Sequence, residues 1–128
     1  VDSSAVIAIL LREPGFEMLD IAIVESPVSR VSAATLVEIS VVAESRGGEP
    51  VVARLDRFLR SANVLIEPFT ERQAYIARDA YSVYGKGRHA AGLNFGDCFS
   101  YALAKELDEP LLFKGDFFRK TDITPAIV

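Results

Sequence analysis

Tryptophan is absent from the 128 residues, and cysteine, methionine and histidine occur once each. With Cys98 alone, no disulfide framework can form. One His and one Cys cannot build an ordinary zinc site, and no partner is placed to activate Cys98 as a nucleophile. It reads as a small packing residue. No apolar run approaches the ~20 residues a membrane-spanning helix requires, and nothing resembles a signal peptide. A soluble protein of a reducing cytoplasm is expected. Linkers, internal repeats and low-complexity stretches are also missing. So is any excess of positive charge: 14 Lys and Arg stand against 18 Asp and Glu, a formal net charge of −4. That argues against binding nucleic acid by bulk charge, but not through a local basic patch.

Half of the residues are hydrophobic, which rules out intrinsic disorder. The length suits one domain spanning 1–128, burying roughly two thirds of its unfolded surface. The chain opens at Val1-Asp2, so an initiator Met and one or two residues of a first strand are expected upstream.

Gly and Pro punctuate the chain into segments of helical or strand length. Residues 4–13 and 16–25 read as apolar helices parted by Pro14-Gly15. Ser32 is placed to cap a helix over 33–46, ended by Gly47-Gly48. Pro50 suits the first turn of the next helix, to about Ser61. Val64-Leu65-Ile66 reads as a short buried strand. Thr70 with Gln73 forms a capping-box pattern for a helix to about Tyr84. Residues 97–107 give a last helix, and Leu111-Leu112-Phe113 a second strand. Strands alternating with helices predict an α/β fold with a mainly parallel sheet, its site at the carboxyl ends of the strands.

Four acids stand out against this frame. Asp2 lies where a strand would hand over to a helix, a common capping position. Glu38 is the only charge in AATLVEISVVA, on a face with Ala34, Val41 and Val42, so it is expected to point inward. A carboxylate there needs a cation, a basic partner or a raised pKa. Asp97 opens the 97–107 helix, and Asp116 follows LLFKG in a turn. Each has a structural reading: cap, buried ion pair, helix start, turn. Together, three of them fall at junctions that converge on one sheet edge, and the fourth sits on a helix that can cover it. Clustered carboxylates repel unless a divalent cation neutralises them. Oxygen-only ligands suit Mg²⁺ or Mn²⁺, whose usual service is phosphoryl chemistry.

VDSSA at the start, the inward Glu38, YGKGRHAAGLNFGDCFSYALAKEL and the closing PLLFKGDFFRKTDI resemble the PIN-domain ribonucleases, and above all the VapC-type toxins of bacterial toxin–antitoxin pairs. The resemblance spans essentially the whole chain. It implies a three-layer α/β/α sandwich around a mainly parallel sheet and a Mg²⁺- or Mn²⁺-dependent endoribonuclease. By position it matches Asp2, Glu38 and Asp97 to the first three family carboxylates. Ser4 matches a hydroxyl residue that orients the acidic centre. The fourth acid departs from the pattern: Phe117 stands where Asp is usual, and Asp116 lies one residue earlier. Asp116 is expected as a weak or water-mediated ligand, with Asp122 as a further supporting acid.

Substrate binding needs positive charge beside that centre. No acid occurs from Ala80 to Gly96, a stretch that carries Lys86, Arg88 and His89 just ahead of Asp97. Arg12, Lys114, Arg119 and Lys120 adjoin the proposed site. Phosphate contact is the functional reading of these residues, and a solvated loop the structural one. Tyr84 and Phe95 are read first as core, with base stacking as the alternative. The resemblance further implies cleavage of a structured RNA such as tRNA, a homodimer, and a cognate antitoxin that blocks the site. The apolar first two helices are divided between core and partner surface. Two rivals stand beside this reading. One is a phosphoacceptor receiver-like domain, which lacks the acidic pair expected near the first strand. The other is a non-catalytic PIN module that binds RNA or antitoxin but cuts poorly because of Phe117.

Overall fold

The computed structural model describes residues 1–127. Six helices alternate with short extended segments: α1 (Ser3–Leu10), α2 (Phe16–Glu25), β1 (Ser29–Ser32), α3 (Ala33–Gly47), α4 (Glu49–Ser61), β2 (Val64–Glu67), α5 (Glu71–Tyr84) and α6 (Phe95–Leu107), with a 3₁₀ turn at Phe118–Lys120. The starts follow the capping signals. Ser32 accepts from the Ala34 amide at 3.2 Å, Thr70 from the Gln73 amide at 3.1 Å, and proline stands in the first turn of α4. Gly48, at φ +70°, turns the chain sharply from α3 into α4.

β1 and β2 run parallel, in register from Ser29 with Val64 to Ser32 with Glu67. Single hydrogen bonds carry the sheet onward. The Val1 amino nitrogen donates to the Arg30 carbonyl at 2.7 Å, and the Asp2 amide to the Leu112 carbonyl at 2.9 Å. Leu111 exchanges bonds with Thr124 and Ala126, both at 2.9 Å. The spatial order is therefore β2, β1, residues 1–2, residues 111–112, residues 124–126. Side-chain alternation shows helices on both faces: Leu111 and Phe113 enter the cluster under α5 and α6, and Leu112 enters the cluster under α1 and α2. A third cluster joins Val6, Leu10, Val31, Ile39, Leu55 and Val64. Burying side chains of this size contributes about 1.5–3 kcal/mol each. The result is the expected three-layer α/β/α arrangement.

Several boundaries and faces differ from the sequence reading. β1 was not foreseen, because SRVS offers one apolar residue. Arg30 is tolerated in it because Glu67 at 2.7 Å and Glu109 at 3.1 Å take its guanidinium. β2 is an edge strand, with Val64 buried but Leu65 and Ile66 exposed. Residues 111–113 form only an isolated bridge rather than a full strand. On α3 the buried face is Thr35, Ile39 and Ala43; Glu38 flanks it half-buried, and Val41 is exposed. α1 is largely core, whereas α2 turns Met18, Ile21 and Val24 to solvent.

Candidate active site

Asp2 is the most buried acid of the chain, 1% exposed, at the point where the first extended residues enter α1. Its Oδ2 accepts from the Ser4 amide at 3.1 Å and from Ser4 Oγ at 2.6 Å. Its Oδ1 accepts from Ser100 Oγ, also at 2.6 Å. Thr35 Oγ1 lies 3.4 Å from the same Ser100 hydroxyl. Because the Ser100 proton is committed to Asp2, Thr35 is placed to donate to Ser100 in turn. Ser4 Oγ also accepts from the Lys114 amide at 3.0 Å, which pins the loop after Phe113 to the acidic centre.

Glu38 and Asp97 complete the group. Burial raises the Glu38 pKa; Ser3 offsets part of that, and the Asp2 charge adds to it. Glu38 Oε1 is buried without a hydrogen-bond partner. Asp97 sits at the third position of α6, in a reciprocal capping box. Asn94 Oδ1 accepts from the Asp97 amide and Asp97 Oδ2 accepts from the Asn94 amide, both at 2.9 Å. Burial pushes the Asp97 carboxyl up to about 6. The Asn94 bond opposes this, while the Asp2 and Glu38 charges push further in the same direction. Three carboxylates distant in sequence thus sense one another in one place.

A divalent cation suits this place chemically: every donor is oxygen, and one carboxylate oxygen is buried and unmet. The cage is not closed, however. Among the described residues no group of three or more His, Cys, Asp or Glu side chains is already arranged to hold a metal. The reason is visible, since Asp97 is turned back onto its cap and Asp2 is engaged with two hydroxyls.

The remaining site residues are dispersed. Asp116 is exposed on the pinned loop and does not contribute to the Glu38 or Asp97 shifts; Phe117 beside it is 57% exposed. Asp122 is drawn elsewhere. It accepts from the Tyr101 hydroxyl at 2.6 Å and Lys105 Nζ at 2.9 Å; burial opposes ionisation, but these two donors outweigh it and hold the carboxyl below its usual range. Lys114 Nζ pairs with Glu13 at 2.7 Å, and Arg119 donates to the Ile127 carbonyl at 3.0 Å. Arg12 is exposed in the turn after α1, and Lys120 ends the 3₁₀ turn. Lys86, Arg88 and His89 lie exposed in the loop between α5 and α6. There Arg88 stands over the Tyr81 ring, and His89 Nδ1 accepts from the Ala91 amide at 2.9 Å. Tyr84 is half-buried as expected, but Phe95 is 78% exposed, packed only edge-on against Phe99. Cys98 is buried, and its thiol is pushed up to about 11 by burial and by Asp97, as suits a packing residue.

Sequence reasoning missed Ser100, Thr35, Asn94 and Gly96. Asn94, three residues before Asp97, carried a readable cap signal. The other three become visible only when α3 and α6 are packed together.

A parallel sheet between helical layers, with carboxylates gathered where extended segments enter helices, defines an α/β domain with an acidic centre. The chain belongs to the PIN-domain family, whose model matches residues 1–123. It is 52% identical to Ribonuclease VapC of Mycolicibacterium smegmatis, over 96% of this chain and 95% of that protein. It is 47% identical to Ribonuclease VapC30 of Mycobacterium tuberculosis, over 96% and 94%. The crystal structure of Mycobacterium tuberculosis VapC20, a sarcin–ricin loop cleaving toxin, shares the fold. Its TM-score is 0.71 at 20% identity, covering 97% of both chains.

Proposed function

We propose that this protein is a VapC-type endoribonuclease toxin that hydrolyses RNA phosphodiesters with Mg²⁺ or Mn²⁺. The observation that carries the reading is the gathering of Asp2, Glu38 and Asp97 where α1, α3 and α6 meet, with Ser100 of α6 bonded to Asp2, the Glu38 carboxylate against the first turn of α6 and Glu38 Oε1 buried and unmet, in a chain about half identical to named VapC ribonucleases. These three carboxylates would hold the cation. When bound, it activates water and offsets the charge that develops on the phosphate. Ser4 and Ser100 hold Asp2 in one orientation, so its carboxylate is set before substrate arrives. No side chain serves as nucleophile, in keeping with the high pKa of Cys98. Asp116 is proposed as an outlying ligand, carried by the loop that Ser4 anchors. Lys86, Arg88, His89 and the cations near the 114–120 loop contact phosphates.

The remainder of the reading is cellular and is drawn from family likeness: a structured RNA target such as tRNA, a cytoplasmic setting, a homodimer, and a cognate antitoxin. Among the described residues no helix is long and apolar enough to cross a membrane. The exposed Met18, Ile21 and Val24 on α2 supply apolar surface of the kind a protein partner covers. The non-catalytic alternative rested on Phe117, and relatives named as ribonucleases do not favour it. The test is cleavage of an RNA pool with Mg²⁺, Mn²⁺ or EDTA, sequencing the new ends. Cleavage is expected with either metal, none with EDTA, and none from Asp97→Asn with its fold retained. Undiminished cleavage by Asp97→Asn, or in EDTA, overturns the proposal.

A further inference from the structure

We infer that Gly96 is a positioning residue for Glu38: it stays without a side chain so that the Glu38 carboxylate can lie against the first turn of α6, beside Asp97. The inference rests on the proposed ribonuclease reading and adds to it a residue that touches neither metal nor substrate.

Nothing in the backbone calls for glycine at this position. Gly96 is the second residue of α6, a regular helix, and it lacks the positive φ found at Gly15, Gly48, Gly87, Gly92 and Gly115. In a helix glycine is the weakest ordinary residue, since it loses the most backbone freedom. What excludes a larger residue is one neighbour. A Cβ at 96 would fall 2.0 Å from Glu38 Oε2, 2.6 Å from its Cδ and 2.8 Å from its Oε1, and these are the three nearest atoms. The carboxylate lies flat on the glycine. To reach the 3.4 Å of ordinary contact, Oε2 would have to retreat by about 1.4 Å, close to the length of one methylene. Glu38 can do so at modest cost, because the clash is with the free end of a flexible side chain, Oε1 has no partner, and only the contact with Ser3 has to adjust. Gly96 adjoins Asp97 in the first turn of α6, so a carboxylate pushed off residue 96 no longer lies against the turn that carries Asp97.

Stability and function should therefore respond in opposite directions. For Gly96→Ala, the expected Tm of the metal-free protein lies within about 3 °C of the parent or above it. Mn²⁺ affinity, read by calorimetry, and RNA cleavage should each fall by about 10–100-fold. Gly96→Ala with Glu38→Asp, which shortens the side chain by one methylene, should regain about tenfold of the lost Mn²⁺ affinity. In a Glu38→Gln background, Gly96→Ala should cost nothing more, because the two changes act through one group. Where the parent binds Mn²⁺, equal affinity in Gly96→Ala overturns the inference. So does a Tm loss beyond about 5 °C, which would mark an ordinary packing glycine. A crystal structure of Gly96→Ala separates this inference from the ribonuclease reading. If the parent neither binds Mn²⁺ nor cleaves RNA, that reading fails, yet a displaced Glu38 still supports the positioning role. An unmoved Glu38 overturns it whatever the activity.

Discussion

Asp97 shows how one side chain serves stability and chemistry at once. As half of a capping box it meets an amide at the start of α6; as one of three coupled carboxylates, half-buried, it has its proton affinity raised. The second role has a sign that can be measured. A carboxyl with pKa raised to about 6 in the fold binds a proton there that the unfolded chain, near 3.8, has already lost. Between these values the native state holds more protons, so stability falls as pH rises through the window. Glu38 is shifted in the same direction and adds to the trend. Thermal melts of the metal-free protein in EDTA should therefore show Asp97 lowering Tm between about pH 4 and pH 6, the window those two values bound. Asp97→Asn should make that decline shallower, and Mn²⁺ at pH 7 should raise the parent's Tm but not the variant's. An equal decline in both proteins would mean that Asp97 is not the group responsible.

At the level of elements, the site is made by α6 lying against α3 and the first turn of α1. Gly96 and Ser100, four apart on α6, face Glu38 and Asp2. Thr35 and Glu38, three apart on α3, face them in return. This pairing marks the limit of what the sequence could tell. The helices were legible because caps and periodicity are local: Ser32, Thr70 and Pro50 each stand where a helix begins. Asp2, Glu38 and Asp97 were legible because each is an acid in apolar or junctional surroundings. β1 was not, since its single apolar residue, Val31, makes no pattern and Arg30 is satisfied only by residues from two later segments. Ser100 was not, since a serine in a helix looks the same whether it meets water or a carboxylate. Its role can be checked at this scale. Ser100→Ala leaves buried Asp2 Oδ1 without its donor, which should cost about 1–3 kcal/mol in urea unfolding. Ser100→Thr, keeping the hydroxyl, should recover cleavage better than Ala does. If Ala unfolds at the parent's urea midpoint, the 2.6 Å bond contributes nothing to the fold.

For the molecule as a whole, charge is divided by region rather than averaged. The formal charge of −4 hides an acidic centre and, ahead of it in sequence, a run from Ala80 to Gly96 with no acid and three potential cations. Other cations are already engaged: Lys114 with Glu13, Arg119 with a backbone carbonyl and the Phe113 ring, and Arg30 of β1 with Glu67 and Glu109. Lys86 and Arg88 are exposed and paired with no acid among the described residues, and Arg88 is steadied only by the Tyr81 ring. If this loop supplies phosphate contacts, it should carry a measurable share of the salt dependence of RNA binding. Each contact to single-stranded RNA contributes about −0.7 to the slope of log K against log salt, so Lys86→Glu with Arg88→Glu should flatten it by about 1.4. KM should rise by about tenfold or more at low salt, while kcat at saturating RNA and Mn²⁺ affinity stay near the parent's, because neither residue touches the carboxylates. A double variant with the parent's salt slope would move the RNA path off this loop, leaving the basic residues of 114–120 as the surface to test next.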